Sequence, residues 1–550
     1  MKLTPRLLSG AVALAMAGAV PAWADSAADA QPNGQTSAGQ QQPPALREVV
    51  VTGIRESMER ALHIKQLADT IEDSIVASDI GKLPDVTAID TIQRIPGIQI
   101  SRQLGEGGGT VTIGGSAVTS GYEIRGLPQA ETTLNGREVF SAQGSRVLNL
   151  ADIPSALLAG IDVYKDPTAD QLAGGIAGTV DLRTHKPFDF NGLELEGSAE
   201  AQYGDLIGRA KPAFMALASD TWNTGFGKLG ALLTLSYQDR PYREDSATNS
   251  AVATSTTAVP GETITYTNGV YNTMFVGDRR RTGVDAVLQW QPVEDFQAYA
   301  EASSEDFDWA QNQYTFSTSG NAKAIDSVAL FPGTTDVQSI IWSKASASSI
   351  GAWRTVEDVD RQFSLHARWT PAPWICEGDL SYTKATERLN NPAVDLAGVS
   401  PTLMQLGSIS GVTQSIVSGF DMLNLAQYNG GSFTYDTEQH FRGGETAARF
   451  DVTYALPGGF VNSVQVGVRA ADRKDSFHQW VNFGGIKAAA IQANSQWTPE
   501  PLLLGDRVQR RPASVPRVQP GPLALQPHRC GSGVRRDAAG GRWHSGLQLR

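Results

Sequence analysis

The chain has 550 residues, which is enough for several domains or for one large barrel with an accessory domain. Its 45 lysines and arginines are outnumbered by 57 aspartates and glutamates, and the formal net charge of −12 excludes a protein that binds nucleic acid through a basic surface. Two cysteines exclude a disulfide-rich scaffold.

The N-terminus has the pattern of an export signal. Lys2 and Arg6 precede an apolar run over residues 7–20, and Ala22-Trp23-Ala24 supplies a small-residue cleavage site. The apolar run is shorter than the ~20 residues of a membrane-spanning helix, and no later stretch approaches that length. We therefore predict a signal peptide over residues 1–24, which sends the chain to the periplasm. Residues 25–47, rich in Ala, Gln, Gly, Ser and Pro, are predicted to form a disordered leader.

A short β-prone run follows the leader. An extended segment of this type can pair with the sheet edge of another protein through main-chain hydrogen bonds. The alternative is an ordinary first strand of the next domain. The position directly after a disordered leader favours a docking strand. The run consists of Glu48, Val49, Val50, Val51, Thr52 and Gly53.

Residues 54–187 are predicted to form a separate domain. They begin with a charged helical pattern and continue as short strands with many glycines. Pro96-Gly97 predicts the end of a helix followed by a turn. Asn135-Gly136 predicts a two-residue type I′ hairpin, in which both residues take positive φ. Gly174 and Gly175 predict a close approach of two backbones.

Two arginines of this domain suggest a contact with another part of the chain. Arg125, followed by Gly126, and Arg137 are placed to bridge the domain to acidic side chains of the following strands. The alternative is that they pair with carboxylates of their own domain. The candidate partners outside the domain are Glu194, Glu196 and Glu200.

From residue 188 onward, long alternating strands dominate. Apolar and polar residues alternate over 193–203, 229–238, 284–291, 363–370 and 464–470. Alternation places the two sets on opposite faces of a sheet, and segments of about ten residues suit a tilted membrane strand. A soluble β-sandwich also has one polar face, so a single alternating strand hardly distinguishes a membrane β-barrel from a sandwich. We count nine or ten such strands, joined by short turns at one end and long polar connections at the other.

Five motifs in order resemble those of TonB-dependent outer-membrane receptors. The resemblance implies a β fold, namely a transmembrane antiparallel β-barrel over residues 188–496 with a small N-terminal α+β plug domain over residues 54–187. It implies that residues 48–53 are a TonB box, which binds periplasmic TonB of the TonB–ExbB–ExbD inner-membrane system. The motifs are similar to those of the proteobacterial subgroup tied to oligosaccharide uptake. They are residues 89–98, 122–127, 133–138, 153–167 and 174–182.

The resemblance predicts an outer-membrane receptor that takes up a nutrient, most simply an oligosaccharide. A siderophore or iron-complex receptor of the same family, a passive porin and a secreted glycan-binding protein or enzyme are the alternatives. The sequence has no compact Ser/His/Asp arrangement and no metal-ligand spacing, so we predict no enzyme activity, cofactor or metal. Aromatic residues in the long connections are candidate ligand platforms, although they could equally be girdle or packing residues. The candidates are Trp309, Tyr314, Trp342 and Trp353.

The C-terminal segment breaks the pattern. Residues 497–550 are rich in arginine and proline and contain no alternating strand. We predict a truncated or frame-shifted tail and, because an open sheet edge is costly in lipid, an incomplete barrel that does not transport. A genuine periplasmic tail is the alternative.

Overall fold

A computed structural model describes most of the chain from residue 59 onward. Residues 51–550 form one compact unit, and all contacts below lie within it. The predicted signal peptide, leader and TonB box, and nearly all of the Arg/Pro-rich tail, lie outside the described residues. The described ranges are 59–68, 70–76, 87–100, 109–113, 116–139, 150, 153–249, 252–398, 401–408, 411–421, 424–435, 437–456, 460–489, 543–544 and 548–549.

The N-terminal domain is a five-stranded sheet with short helices. Residues 59–67 are helical, and the sheet order is β1-β8-β9-β6-β7, in which only β6 and β9 are parallel. The elements are β1 (Glu72–Val76), α1 (Ala88–Ile92), β2 (Ile98–Ile100), β3 (Gly109–Ile113), β4 (Ser116–Ser120), β5 (Tyr122–Ile124), β6 (Ala130–Leu134), β7 (Arg137–Glu138), a 3-10 turn (Ser155–Leu157), β8 (Leu158–Tyr164) and β9 (Gly178–Thr184).

This domain has its own apolar core. Ile89 and Ile92 of α1 pack with Ile124, Val163 and Val180 of the strands, and all five are almost fully buried. Because α1 ends before Pro96-Gly97, where Gly97 has φ +84°, the chain turns back into β2 as the sequence predicts.

The rest of the described chain is almost entirely strand. A second 3-10 turn (Pro187–Asp189) leads into the strands, and a third (Leu425–Gln427) precedes β24. The strands are β10 (Glu194–Gly204), β11 (Arg209–Thr224), β12 (Gly227–Asn249), β13 (Val252–Ser255), β14 (Ile264–Thr267), β15 (Gly269–Val293), β16 (Phe296–Ser319), β17 (Ile325–Leu330), β18 (Val337–Trp342), β19 (Ser346–Trp369), β20 (Trp374–Asn390), β21 (Ala393–Gly398), β22 (Thr402–Ser408), β23 (Gly411–Ser418), β24 (Tyr428–Tyr435), β25 (Glu438–Ala455), β26 (Ser463–Gln479), β27 (Asn482–Lys487), β28 (Trp543–His544) and β29 (Gln548–Leu549).

Nine long strands form one antiparallel meander, which we call the wall sheet. Its order is β10-β11-β12-β15-β16-β19-β20-β25-β26, so each strand pairs with the previous and the next long strand. In the described part of the chain β10 stands at one edge, while β28 and β29 pair with β26 at the other. The nine strands agree with the predicted number, and the prediction that the barrel is incomplete stays a prediction.

The wall sheet buries its polar face. On β12, Thr234 and Ser236 are 1% and 6% exposed, whereas the intervening Leu233 and Leu235 are 43% and 44% exposed. A soluble sandwich would bury the leucines, because burial of apolar surface drives folding in water. The reversed pattern recurs on β15 and β19 and indicates a sheet with an apolar environment outside. The face that buries the polar side chains is called the inner face below.

Aromatic residues collect on the outer face at one end of the strands. At this end the strands are joined by short turns, such as residues 225–226, 294–295 and 370–373. The other end carries the long connections. Exposed aromatic side chains at the short-turn end are typical of a membrane–water interface. They are Trp222, Phe226, Trp290, Trp369 and Trp374.

The long connections are more ordered than predicted. The sequence predicts long polar stretches over 240–281, 306–360 and 387–444, but β12, β15, β16 and β19 extend far into them. Beyond these strands, the described residues of the connections form a hairpin, β13–β14, a four-stranded sheet, β17-β18-β22-β23, and the strands β21 and β24, which pair with each other. Trp342 and Ile340 are fully buried in the core that the hairpin and the four-stranded sheet share. The backbone hydrogen bonds between neighbouring strands continue into the long connections because they do not require one face of the sheet to contact lipid.

Candidate functional site

The β6–β7 hairpin of the N-terminal domain touches the inner face of the wall sheet. Asn135 and Gly136 have φ of 52° and 72°, so the two-residue turn has the predicted positive φ at both positions. The Asn135 side chain donates from Nδ2 to both carboxylate oxygens of Glu301 on β16, at 3.0 and 3.1 Å. Its Oδ1 accepts a hydrogen bond from the backbone N–H of Thr184 at 3.1 Å. The turn therefore carries a side chain that connects two domains.

Arg137 makes the main ionic contact between the two domains. Its Nη2 donates to Asp379 Oδ2 on β20 at 2.7 Å, and its Nε donates to the same carboxylate at 3.0 and 3.1 Å. Nη1 donates to Glu301 Oε2 at 3.2 Å, and Nη2 also donates to the Tyr299 hydroxyl at 2.8 Å. The Arg137 side chain is 4% exposed. This forked geometry suits a guanidinium and not an ammonium group.

Charges in this contact are balanced. Glu301, 2% exposed, also accepts from Lys186 Nζ at 2.7 Å and from Thr184 Oγ1 at 2.6 Å. Two cations therefore face the carboxylates of Glu301 and Asp379. Burial lowers the pKa of Arg137, but the hydrogen bond to Asp379 and the negative charges beside it outweigh burial and raise that pKa. Such a cluster is destabilised strongly when a single member is removed, because a buried charge is left unpaired.

Glu138, the next residue, contacts a distant part of the wall. Its carboxylate accepts from Arg469 Nη2 at 3.3 Å and from Arg473 Nη1 at 3.1 Å, both on β26. Arg469 also donates to Glu445 on β25 at 2.5 Å. The hairpin therefore contacts three strands of the wall sheet, β16, β20 and β26, and Arg469 extends the network to β25.

The acidic partners proposed from the sequence are not the ones that Arg137 contacts. Arg137 contacts Glu301 and Asp379 instead. Glu194, Glu196 and Glu200 lie on β10. Arg125 stays within its own domain, as the alternative allowed. Its Nη1 lies 3.5 Å from the carbonyl oxygen of Lys165, and its backbone N–H donates to Gly97 O at 2.8 Å. Both Arg125 and Gly126 have positive φ and form the turn after β5.

Glycines let the N-terminal domain approach the wall closely. A Cβ on Gly283 of β15 would lie 2.5 Å from Leu157 Cδ1, and one on Gly230 of β12 would lie 2.5 Å from Pro187 Cβ. Within the domain, a Cβ on Gly175 would lie 2.1 Å from the Gly178 carbonyl oxygen, as the predicted close approach requires. Gly174 lies in the turn before Gly175. The sequence alone does not identify Gly230 and Gly283 as contact sites, since isolated glycines in strands also mark bulges.

The four candidate ligand aromatics do not form one cluster, because Tyr314 and Trp353 are diagonal neighbours on one face of β16 and β19 while Trp309 lies on the other face. Trp309 lies on the inner face but is only 5% exposed, because the guanidinium groups of Arg354 and Arg279 lie 4.8 and 5.2 Å from its ring centre. Trp342 is fully buried in the core of the connection strands, 5.7 Å from Tyr266. These two side chains are therefore unavailable as open stacking platforms. Tyr314 is half-buried and Trp353 is 47% exposed.

A cavity of about 450 Å³ lies among the connection strands. Buried Tyr266 and Gln405 form part of its lining, and exposed Thr334 and Asp336 lie at its edge. Asp336 is the one charged side chain among the residues that line it. Within the described ranges, no three or more His, Cys, Asp or Glu side chains are grouped to hold a metal ion, and no helix is long and apolar enough to cross a membrane.

Residues 65–180 match the family model of the TonB-dependent receptor plug domain. The N-terminal domain is therefore a plug domain of this type, and we call it the plug from here on. No curated protein matches the chain.

Solved structures with a similar arrangement include three transporters or receptors. The unliganded ferric citrate transporter FecA is 10% identical, with 77% of this chain and 79% of that chain covered and a TM-score of 0.27. The copper transporter OprC is 12% identical, with 76% of each chain covered and a TM-score of 0.32. A mutant ferric enterobactin receptor from Pseudomonas aeruginosa, in complex with enterobactin, is 10% identical, with 74% and 72% covered and a TM-score of 0.30. At these values the likeness carries no inference about cargo.

Proposed function

We propose that this chain is an outer-membrane receptor for TonB-energised uptake of a nutrient, most simply an oligosaccharide. The observation that carries the proposal is a plug domain held by Arg137 against the inner face of a sheet that buries polar residues and exposes leucines. A passive porin has no need of such a domain. The predicted signal peptide and the exposed aromatic residues at the short-turn end support a location in the outer membrane.

Energy for uptake has to come from another membrane. The outer membrane has no nucleotide supply and no ion gradient of its own, so work must reach the plug through a partner. In our proposal periplasmic TonB, driven by the inner-membrane ExbB–ExbD complex, pairs with Glu48–Gly53 as an added strand and pulls. Main-chain hydrogen bonds would supply the affinity of this contact.

The contacts of Arg137 and Glu138 are suited to a plug that is held and then released. Ionic hydrogen bonds depend steeply on distance and direction, and water can replace them once a gap opens. An apolar interface of the same area would resist separation until all of its surface was exposed. These contacts thus hold the plug strongly when closed, and they break after a small displacement of the plug from the wall sheet.

The connection cavity supports an oligosaccharide over an iron complex as cargo. Among its described lining residues, Thr265, Thr267 and Thr334 offer hydroxyl groups and none is basic, whereas Tyr266 and Gln405 are buried, 3% and 1% exposed. Iron complexes of catecholate or carboxylate chelators are anionic and call for cations at their binding site. The iron-complex receptor remains the alternative, since Arg279 and Arg354 lie on the inner face beside Trp309.

Uptake measured in cells tests this function. Cells that express the full chain are given a fluorescent maltooligosaccharide or a ferric catecholate, each with and without a protonophore. If the chain closes a barrel, against the prediction made from its tail, we expect uptake of the oligosaccharide that stops when the protonophore is added and that is absent in a strain without TonB. If the barrel is incomplete, as that prediction states, neither probe is taken up. Uptake that survives loss of the proton gradient would favour the porin, and uptake of the iron complex alone would favour the alternative receptor.

A further inference from the structure

Basic side chains form a row across the outer face of the wall sheet. Strand register pairs Arg361 of β19 with Lys384 of β20, Lys384 with Gly444 of β25, and Gly444 with Lys474 of β26. Arg442 lies two residues from Gly444 on the same face of β25. All four basic side chains are exposed. We call Arg361, Lys384, Lys474 and Arg442 the basic row.

Two members of the row are like charges in direct opposition. Residues paired across antiparallel strands have Cβ atoms about 5 Å apart, and like charges there are destabilising. Among the described residues, neither Arg361 nor Lys384 forms a salt bridge or hydrogen bond through its side chain, although Asp306 interacts electrostatically with Arg361. Lys474 pairs with Asp472 at 2.9 Å. The cations therefore outnumber the nearby carboxylates, and an anion between the strands would relieve their repulsion.

The row marks one boundary of the apolar outer surface. Towards the short turns, Phe363 and Tyr382 follow Arg361 and Lys384 on the same face, and they are 48% and 49% exposed. From Trp369 at the short-turn end to Arg361 the strand is roughly 26 Å long, which at a tilt of about 40° is a rise of about 20 Å. The long Arg361 side chain can reach the remaining distance to the edge of an apolar band about 25 Å tall. The row thus lies at the end of the sheet that carries the long connections.

We propose that the basic row binds the phosphate groups of an anionic glycolipid in the outer leaflet. This inference rests on the proposed function, because it requires the outer face to be in a membrane. Guanidinium and ammonium groups would donate charge-assisted hydrogen bonds to the phosphate oxygens. The acyl chains would lie on Phe363, Tyr382 and the apolar residues below them. Gly444 has no side chain and leaves space between Lys384 and Lys474 for the head group.

Retention of lipid by the purified full chain tests the site. The protein in detergent micelles is mixed with bisphosphorylated lipid A or with its dephosphorylated form, and bound lipid is counted by native mass spectrometry. We expect the Arg361→Gln/Lys384→Gln variant to retain lipid A about tenfold less than the parent chain. The matched control is Arg280→Gln, since Arg280 is an outer-face arginine that lies 3.7 Å from Asp308. This control should retain lipid A like the parent.

Three results would overturn the lipid site. Equal retention by the double variant and the parent is the first, and equal retention of the dephosphorylated lipid is the second. Displacement of lipid A by millimolar inorganic phosphate is the third, because it would identify free phosphate as the ligand. Flotation with lipid vesicles separates this inference from the function on which it rests. If the parent chain does not float, the proposed function fails and the lipid site fails with it, whereas flotation with unchanged retention removes the lipid site alone.

Discussion

Arg137 of the plug and Asp379 of the wall sheet, 242 residues apart in sequence, are joined by hydrogen bonds of 2.7 to 3.1 Å. The pair fixes where the β6–β7 hairpin sits, and Glu301 and Tyr299 complete the coordination of the guanidinium. The contact lies between two parts of the chain that have separate cores. Its strength therefore sets how firmly the plug is seated.

Removal of the Arg137 charge should loosen the plug. In Arg137→Gln, Asp379 loses its bidentate partner and Glu301 keeps only Lys186 as a cation, so we expect the plug contact to weaken by about 3 kcal/mol. Limited proteolysis of the plug in detergent, as a function of urea, measures this change. Arg125→Gln is the matched control because Arg125 is exposed and, among the described residues, its side chain hydrogen-bonds to the carbonyl oxygen of Lys165 and to no residue of the wall sheet. Equal protease sensitivity of the two variants would show that Arg137 does not hold the plug.

The turn between β6 and β7 should not tolerate a side chain at its glycine. A Cβ on Gly136 would meet nothing within 4 Å, but alanine at a φ of 72° is strained because its Cβ approaches the following carbonyl oxygen. We expect Gly136→Ala to destabilise the plug by about 1 kcal/mol, measured by urea unfolding. Gly121→Ala is the control, because that site is equally open and has no positive φ. An unchanged midpoint for Gly136→Ala would contradict this explanation of the turn.

Most of the fold follows from the sequence because alternation and turn chemistry are local. The positions of β10, β12, β15, β19 and β26 follow from the side-chain period of two, and the Asn135-Gly136 turn follows from a requirement for positive φ. Short strands such as β13, β17 and β22 belong to the connections and lack a lipid-facing side, so the long alternation that reveals the wall strands is absent from them.

The partners of Arg137 could not be predicted for a different reason. Glu301 and Asp379 become its neighbours through strand order and register across the wall sheet, which no local pattern encodes. Glu194, Glu196 and Glu200 are acidic residues on the polar side of one alternating strand, and alternation does not show which strand faces Arg137. The burial of Trp309 by two arginines likewise depends on neighbours from β15 and β19.

Because Gly283 packs closely against Leu157, substitutions at these two residues should have non-additive effects on the free energy of unfolding. A Cβ there would meet Leu157 Cδ1 at 2.5 Å, so Gly283→Ala should weaken plug seating by about 1 kcal/mol or more. Leu157→Ala in the same chain should remove part of this effect, since the two side chains would compete for one space. Gly351→Ala, on β19 with nothing within 4 Å, is the control. Strictly additive effects of the two substitutions in urea unfolding would contradict the contact.

Plug stability should fall in mild acid because of His185. Burial lowers the pKa of His185 from 6.5 to about 4, so the folded plug favours the neutral ring. Because the folded pKa is below the unfolded value, the contribution of His185 is complete above pH 6.5. It is lost as the pH falls from 6.5 to 4, by about 1 kcal/mol per unit.

A substitution at His185 checks this pH dependence. His185→Gln should flatten the fall in unfolding free energy between pH 6.5 and 4, whereas His63→Gln, at an exposed position of the N-terminal helix, should leave it unchanged. The same slope in both variants would show that another group causes the acid sensitivity.

Movement of the plug under energised pulling is the central claim, and labelling of a buried cysteine measures it most directly. Leu157 is 4% exposed and lies against the wall at Gly283. The variant Leu157→Cys is made in a chain that also carries Cys376→Ser and Cys530→Ser. It is then exposed to a maleimide confined to the periplasm, in respiring cells that receive cargo. We expect labelling to be fast in these cells and slow when a protonophore is added or when Val50→Pro disrupts the TonB box. Equal labelling rates in all three conditions would contradict a plug moved by TonB.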